Sequence, residues 1–278
     1  MRSRIKILVW SSFALLMLSL ALSPDDLVIH WLGKTPAPAP QVKTIEEGLL
    51  FQAAFVKKLE PIAGKRIGYK VGLTSKPVQQ KFGVSHPLRG VLLKRMLLES
   101  GASVAAKFGA VPIVEADLLV RVKDSGVNQA TSPAEVIKHL DAIIPFIELP
   151  DLVLQKGQPL NGATITAINV GARLGVVGKP IAVEPTARFA EGLAEMRVLV
   201  SVDGKQVMKV PGKAILGNPL NAVVWLAQDL AKHGQQLQAG DIISLGSFGK
   251  PFHPQAGSSF AVKYEFAGKS GNVMVSFR

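Results

Sequence analysis

The chain contains no cysteine. That absence removes disulfides, thiolate metal sites, a cysteine nucleophile and a lipid-modified cysteine anchor. It also suits an oxidising compartment, where nothing can mispair. Aromatic side chains are scarce, at 6%, and no basic cluster alternates with them. The formal charge of +12 therefore implies no nucleic-acid partner, because single strands need stacking platforms beside the cations. Scattered solvated lysines, an anionic membrane face and an acidic small ligand remain as readings of that charge. His30, His86, His139, His233 and His253 show no metal-ligand spacing. Gly171, Gly175 and Gly178 do not make a dinucleotide fingerprint, and no phosphate-loop pattern occurs. Gly246-Ser247-Phe248-Gly249 has the wrong spacing for a nucleophile elbow.

What is present begins with Arg2, Arg4 and Lys6, followed by an almost unbroken apolar run over residues 5–22 that Asp25 and Asp26 end. A basic start before an apolar core is the layout of an export signal. Ser19-Leu20-Ala21 offers small residues for cleavage after Ala21. The run lies at the lower edge of what spans a bilayer, roughly 17–25 residues. Residues 1–23 thus read as a signal peptide or as a membrane anchor. Either places the chain outside the cytoplasm, periplasmic or held at the inner membrane through residues 5–22 alone. Residues 35–40, TPAPAP, alternate proline and predict a stiff extended spacer. Residues 24–42 are accordingly expected to form a proline-rich linker, and residues 43–278 the folded domain.

Within that domain, helical spacing over residues 45–59 follows Thr44 as N-cap. Strands are predicted over 67–73, 112–122, 142–149, 241–245, 259–266 and 271–277, and extended segments over 163–169 and 175–183. Residues 197–210 predict a hairpin turning on Asp203-Gly204. A helix follows Asn218-Pro219 and stops at Gly234. Many short strands with a few helices between them predict an α+β, sheet-dominated fold.

The most informative stretch is 112–120, PIVEADLLV. Side chains two apart on a strand share a face, so Val114, Ala116, Leu118 and Val120 form an apolar face and Glu115 and Asp117 stand together on the other. Two acids this close repel unless water screens them or a cation sits between them. Hard oxygen ligands of that kind suit magnesium, manganese or calcium; a solvated strand face is the plainer alternative. Glu148 closes the apolar run 142–147 and so projects from a buried element, where a carboxylate needs a partner. A salt bridge and a third place on a metal are both open to it. Lys70 lies between Gly68 and Gly72, a setting that permits close approach of backbone or ligand. It is either an exposed lysine at a sheet edge or a group that binds a carboxylate or moves a proton.

Together these segments resemble the 2-keto-4-pentenoate hydratase branch of the fumarylacetoacetate hydrolase superfamily. The motif GYKVGLTS at 68–75 carries the resemblance, with Phe82-Gly83-Val84, Gly90-Val91-Leu92, Gly217-Asn218-Pro219-Leu220, Trp225-Leu226-Ala227 and the segment 237–247. It implies a mixed β-roll or sandwich with flanking helices. It further implies a magnesium or manganese ion on Glu115, Asp117 and Glu148, with Asp117 standing where the family usually has Glu. Lys70 would be catalytic and would bind substrate, as would Ser75, Asn169 and Ser247. The implied activity is a hydro-lyase adding water to a 2-oxo-4-enoic acid; a 4-oxalocrotonate decarboxylase shares the enolate chemistry. The implied partners are a small-molecule 2-oxo acid and further copies of the chain in a homo-oligomer. The sequence departs from the family at Leu88, where an acid is usual, at Leu152-Val153, where Ser-Arg is usual, around Asn169, and at Gly257-Ser258. These departures keep open a second reading, a metal-retaining but catalytically silent domain that binds an acidic ligand.

Overall fold

Residues 21–278 are described by a computed structural model. The basic start and nearly all of the apolar run, and with them the expected signal or anchor, lie outside the described residues. Among the described residues, no helix is long and apolar enough to cross a membrane. The helices are α1 (Pro24–Gly33), α2 (Ile45–Ala63), α3 (Lys76–Lys81), α4 (Pro133–Val136), α5 (Gly162–Ala167), α6 (Ala187–Ala194) and α7 (Asn221–Lys232). The first strands are β1 (Arg66–Gly72), β2 (Leu88–Leu93), β3 (Leu97–Glu99), β4 (Ser103–Val104), β5 (Glu115–Val122), β6 (Leu140–Leu149) and β7 (Leu174–Val177). They are followed by β8 (Ile181–Ala182), β9 (Arg197–Val202), β10 (Lys205–Pro211), β11 (Ile242–Ser244), β12 (Ser259–Phe266) and β13 (Lys269–Phe277).

The strands make two mixed sheets, as the α+β expectation requires. The larger has the order β2-β1-β11-β5-β6-β7-β3, with β8 added beside β6; the smaller is β10-β9-β12-β13-β4. Along β12, Phe260, Val262, Tyr264 and Phe266 are buried while Lys263 between them is exposed, the alternation of a sheet with one face on the core. Those residues meet Ala116, Leu118 and Val120 of β5, with Val198, Val200, Val273 and Val275 filling the space between the sheets. Leu226 and Leu230 of α7 and Phe189 of α6 close this core. β6 differs: apart from Asp141 it is buried throughout, and it accordingly reads as a near-continuous apolar run. The hairpin of β9 and β10 turns on Asp203 (φ 51°) and Gly204 (φ 77°), the paired positive φ values of the expected tight turn.

Two expectations are corrected. Residues 24–42 are part of the folded body and not a linker. Ser23 caps α1 through a reciprocal box with Asp26, and Leu27 is fully buried beside Phe55 and Leu59 of α2. Beyond α1, Ala37 is buried and bonds the backbone of Val153 and Gln155 at 2.7 and 2.8 Å. The proline alternation does keep this stretch extended, but its alanines supply packing surface. Residues 163–169, expected to be extended, instead form α5 and the turn after it. The β-branched Thr164, Ile165 and Thr166 favour a strand locally. The Asn161 side chain overrides them by accepting from the Thr164 N–H as an N-cap, and the helix packs on α2.

Candidate active site

β5 and β6 are antiparallel neighbours in a register that sets Glu115 directly opposite Glu148. Facing residues of such a pair have Cβ atoms about 4.5–5.5 Å apart, so the two carboxylates share one face at close range. Lys70 comes from β1, three strand spacings away in the order β1-β11-β5-β6. On a flat sheet that is roughly 14 Å, yet the Lys70 ammonium touches Glu148 Oε1; the sheet must curl around the site. The plainer reading of Glu148 therefore holds, a salt bridge, and its partner is the lysine of the glycine-flanked strand. Lys70 is buried and is not a sheet-edge residue.

The aligned hydrogen bond of the ammonium goes elsewhere, to the Val170 carbonyl at 2.9 Å. The ammonium is thus shared between Glu148 Oε1 and the Val170 carbonyl, and among the described residues it is the sole partner of that carboxylate. Val170 is itself unusual, a β-branched residue at φ 51° between Asn169 (φ 57°) and Gly171 (φ 71°). Such a conformation is disfavoured for a branched side chain and persists only where surroundings enforce it. Here Asn169 does so, accepting from Val91 N at 2.7 Å and donating to Val91 O at 3.0 Å. Two glycines beside Lys70, Gly72 and Gly90, are explained by the same turn, while Gly68 lies against the Ile242 backbone of β11. A Cβ on Gly90, its cross-strand partner, would lie 2.7 Å from Asn169 O, and one on Gly72 would lie 2.5 Å from a Val170 methyl.

A cavity of about 490 Å³ opens over Lys70, Glu115 and Glu148, and Ser75 and Ser247 also line it. Ser247 Oγ is buried there without a hydrogen-bond partner. Two of the expected site residues are not in this group. Asn169 is fully buried and acts on the backbone of β2 and not on the cavity. Asp117 shares the face of Glu115 but is sealed one step deeper, fully buried. One of its oxygens accepts from the N–H groups of Leu118 and Gly246 and the other from the Ser244 hydroxyl. Tyr264 covers it by donating to the Asp117 and Phe146 carbonyls. Among the described residues no three His, Asp or Glu side chains converge as a metal-binding group; Glu115 and Glu148 face each other across the strands, and Asp117 is held by hydrogen bonds beside them.

Electrostatics mark the same spot. Burial pushes the Glu115 carboxyl up to about 7, with Glu148 adding to the rise and Lys70 opposing it. Burial and then Glu148 also hold Asp117 well above the usual carboxylate range, against its hydrogen bonds from Ser244 and Leu118. The buried Asp117 and Glu148 and the half-buried Glu115 thus crowd around one ammonium. The facing Glu148 and Glu115 carboxylates are hard oxygen donors of the type a divalent cation takes. Sequence reasoning did not find Ser244, Gly246 or the Val170 carbonyl; only the Asn-x-Gly spacing at 169–171, two residue types that favour positive φ, hinted at the turn.

The departures from the family pattern are absorbed structurally. Leu88 packs with Ile165 and Val170, Leu152 lines the cavity, and Asp151 pairs with Arg173 at 3.1 Å.

No family model matches the chain. It is 30% identical over 207 residues to 2-keto-4-pentenoate hydratase 1 of Dechloromonas aromatica, covering 74% of this chain and 76% of that one. It is 30% identical over 244 residues to 2-oxo-hept-4-ene-1,7-dioate hydratase of Escherichia coli, covering 84% and 87%. Its fold is that of 4-oxalocrotonate decarboxylase from Pseudomonas putida G7, solved with magnesium and adipate, at a TM-score of 0.82, 24% identity and coverage of 92% and 95%. Its fold is also like that of a yeast fumarylacetoacetate hydrolase family protein, at a TM-score of 0.52 and 14% identity over 76% of this chain and 92% of that one. By the similarities to the two hydratases, the protein belongs to the 2-keto-4-pentenoate hydratase family.

Proposed function

We propose that the protein is a divalent-metal-dependent hydro-lyase that adds water to a 2-oxo-4-enoic acid. The observation that carries this is the facing pair Glu115 and Glu148, with Lys70 between charge and carbonyl, at the end of a cavity large enough for such an acid. The names of the hydratase relatives agree with it. Glu115 and Glu148 are the residues that would hold magnesium or manganese. When bound, such an ion supplies Lewis-acid polarisation to the carboxylate and keto oxygens of a 2-oxo acid.

The chain's own groups do the rest. Lys70 holds a positive charge where the substrate carboxylate and keto group would lie, and it is placed to deliver a proton. Ser247 Oγ, buried and unpartnered, is free to donate to the same head group. The apolar walls keep bulk water from the conjugated system. Overall, the hydroxyl of one water joins carbon 4 and its proton ends on the neighbouring carbon, giving a 4-hydroxy-2-oxo acid. The test is ultraviolet loss of a 2-hydroxy-2,4-dienoate chromophore with added magnesium or manganese; turnover that needs the metal is the expected result.

Leu88 favours a second reading. It leaves Lys70 without an acidic neighbour from β2, as in a domain that binds 2-oxo acids without turning them over. Manganese binding with no dienoate consumption would select that reading, and release of carbon dioxide from a 2-oxo-enedioate would select decarboxylation. Export is proposed from the leader at residues 5–22, and N-terminal sequencing of mature protein that begins at Leu22 would support it.

A further inference from the structure

Lys70 carries the proposed chemistry, yet its own strand does not aim it. Its cross-strand partner on β2 is Gly90. A Cβ there would lie 2.9 Å from Lys70 Cγ and 2.7 Å from the Asn169 carbonyl oxygen. The lysine side chain thus crosses β2 where there is no side chain, and its ammonium meets the Val170 carbonyl beyond. β2 is an edge strand of the large sheet. Its edge is filled there by Asn169, whose side chain bonds both the N–H and the C=O of Val91.

An ammonium has three N–H donors. Glu148 Oε1 and the Val170 carbonyl take up two of them. The third is left for a ligand in the cavity that Lys70 lines, and its direction is fixed by the other two. The Val170 carbonyl cannot hold its place unaided. Val170 sits at φ 51°, a conformation that a branched residue leaves unless its surroundings enforce it. One end of the turn is tied by the Asp151 N–H, which donates to the Gly171 carbonyl at 2.9 Å. The other end has the clamp of Asn169 on Val91.

We propose that Asn169 and Gly90 are positioning residues for Lys70. Asn169 holds the carbonyl that orients the ammonium, and the bare Cα of Gly90 leaves the path to it open. Neither lines the cavity, so both act through Lys70 and not on the substrate. The proposal rests on the hydratase reading for what Lys70 does, and adds which residues keep it aimed.

The experiment is a double-mutant cycle on the full chain with magnesium, combining Lys70→Met with Asn169→Ala and, separately, with Gly90→Ala. It has two readouts: kcat on a 2-hydroxy-2,4-dienoate, and the calorimetric Kd for 2-oxopentanoate, a saturated acid that cannot be hydrated. Asn169→Ala and Gly90→Ala should each lower kcat about 10²-fold and weaken 2-oxopentanoate about tenfold. Added to Lys70→Met, neither should cause a further loss in either readout, because groups that act as a unit are not additive. A merely structural role predicts independent losses that multiply. Multiplied losses in a double variant that melts cooperatively would overturn the proposal, as would wild-type kcat and Kd in folded Asn169→Ala. Gly90→Ala removes no hydrogen-bonding side chain, and it decides the question by the same criteria where Asn169→Ala does not fold. Coupling seen in Kd by a protein that turns over no dienoate would keep the positioning role and remove the hydratase reading.

Discussion

Two buried ion pairs are anchored close together in sequence, on Glu148 near the end of β6 and on Asp151 just after it, and they are built differently. In the Arg173–Asp151 pair both carboxylate oxygens accept hydrogen bonds. Asp151 also accepts from Ala110 N at 3.0 Å and Val111 N at 2.7 Å. Arg173 also donates to the Phe108 and Trp31 carbonyls and lies 4.3 Å from the Trp31 ring centre. In the Lys70–Glu148 pair the carboxylate has the ammonium as its sole partner among the described residues, a second carboxylate faces it, and a cavity opens above. The closed pair fastens α1 to the body. The open pair keeps unspent donor capacity where a ligand can arrive. Access distinguishes the two pairs more clearly than burial, which they share, because the Lys70–Glu148 pair lines a cavity.

Breaking each pair should give opposite phenotypes. The largest effect is expected for Lys70→Met, which should lower kcat/KM by about 10²- to 10⁴-fold in the dienoate assay while the protein still melts cooperatively. Next comes Arg173→Met. It leaves Asp151 buried without its countercharge and should cost about 3–5 kcal/mol in urea denaturation, with early proteolysis near Trp31 and normal turnover in the protein that remains folded. The smallest effect is a pH dependence.

Glu115 titrates at about 7 in the folded protein against 4.5 as its ordinary value. As pH rises through that window the unfolded chain loses the proton first, so stability falls between the two values and stays lowered above about 7. Glu115→Gln should therefore gain melting temperature on the wild type above pH 7 and match it below pH 4.5. Melting curves across that range, without added metal, provide the check.

How far the sequence reveals this depends on the range of the interactions. The hairpin at Asp203-Gly204 was legible because its turn chemistry is local. Glu115, Glu148 and Lys70 were legible because acids and a lysine inside apolar strands stand out, and the family motif links them. The seal over Asp117 was not, since it depends on Ser244 and Gly246, more than a hundred residues on. Nor was the Val170 carbonyl, held for Lys70 by a clamp between Asn169 and β2. The helix α5 was misread because β-branched residues outweighed a single capping Asn161, and α1 because proline alternation next to it suggested a spacer.

The most direct test of the open pair is a manganese titration followed by electron paramagnetic resonance on the wild type, Glu115→Gln and Glu148→Gln. Loss of an outer-shell partner alone weakens metal sites about 10- to 100-fold, and loss of either direct ligand should do at least as much. The expected result is one manganese site in the wild type, weakened at least tenfold in both variants, with dienoate turnover lost in parallel. Equal manganese affinity in all three proteins would contradict the assignment.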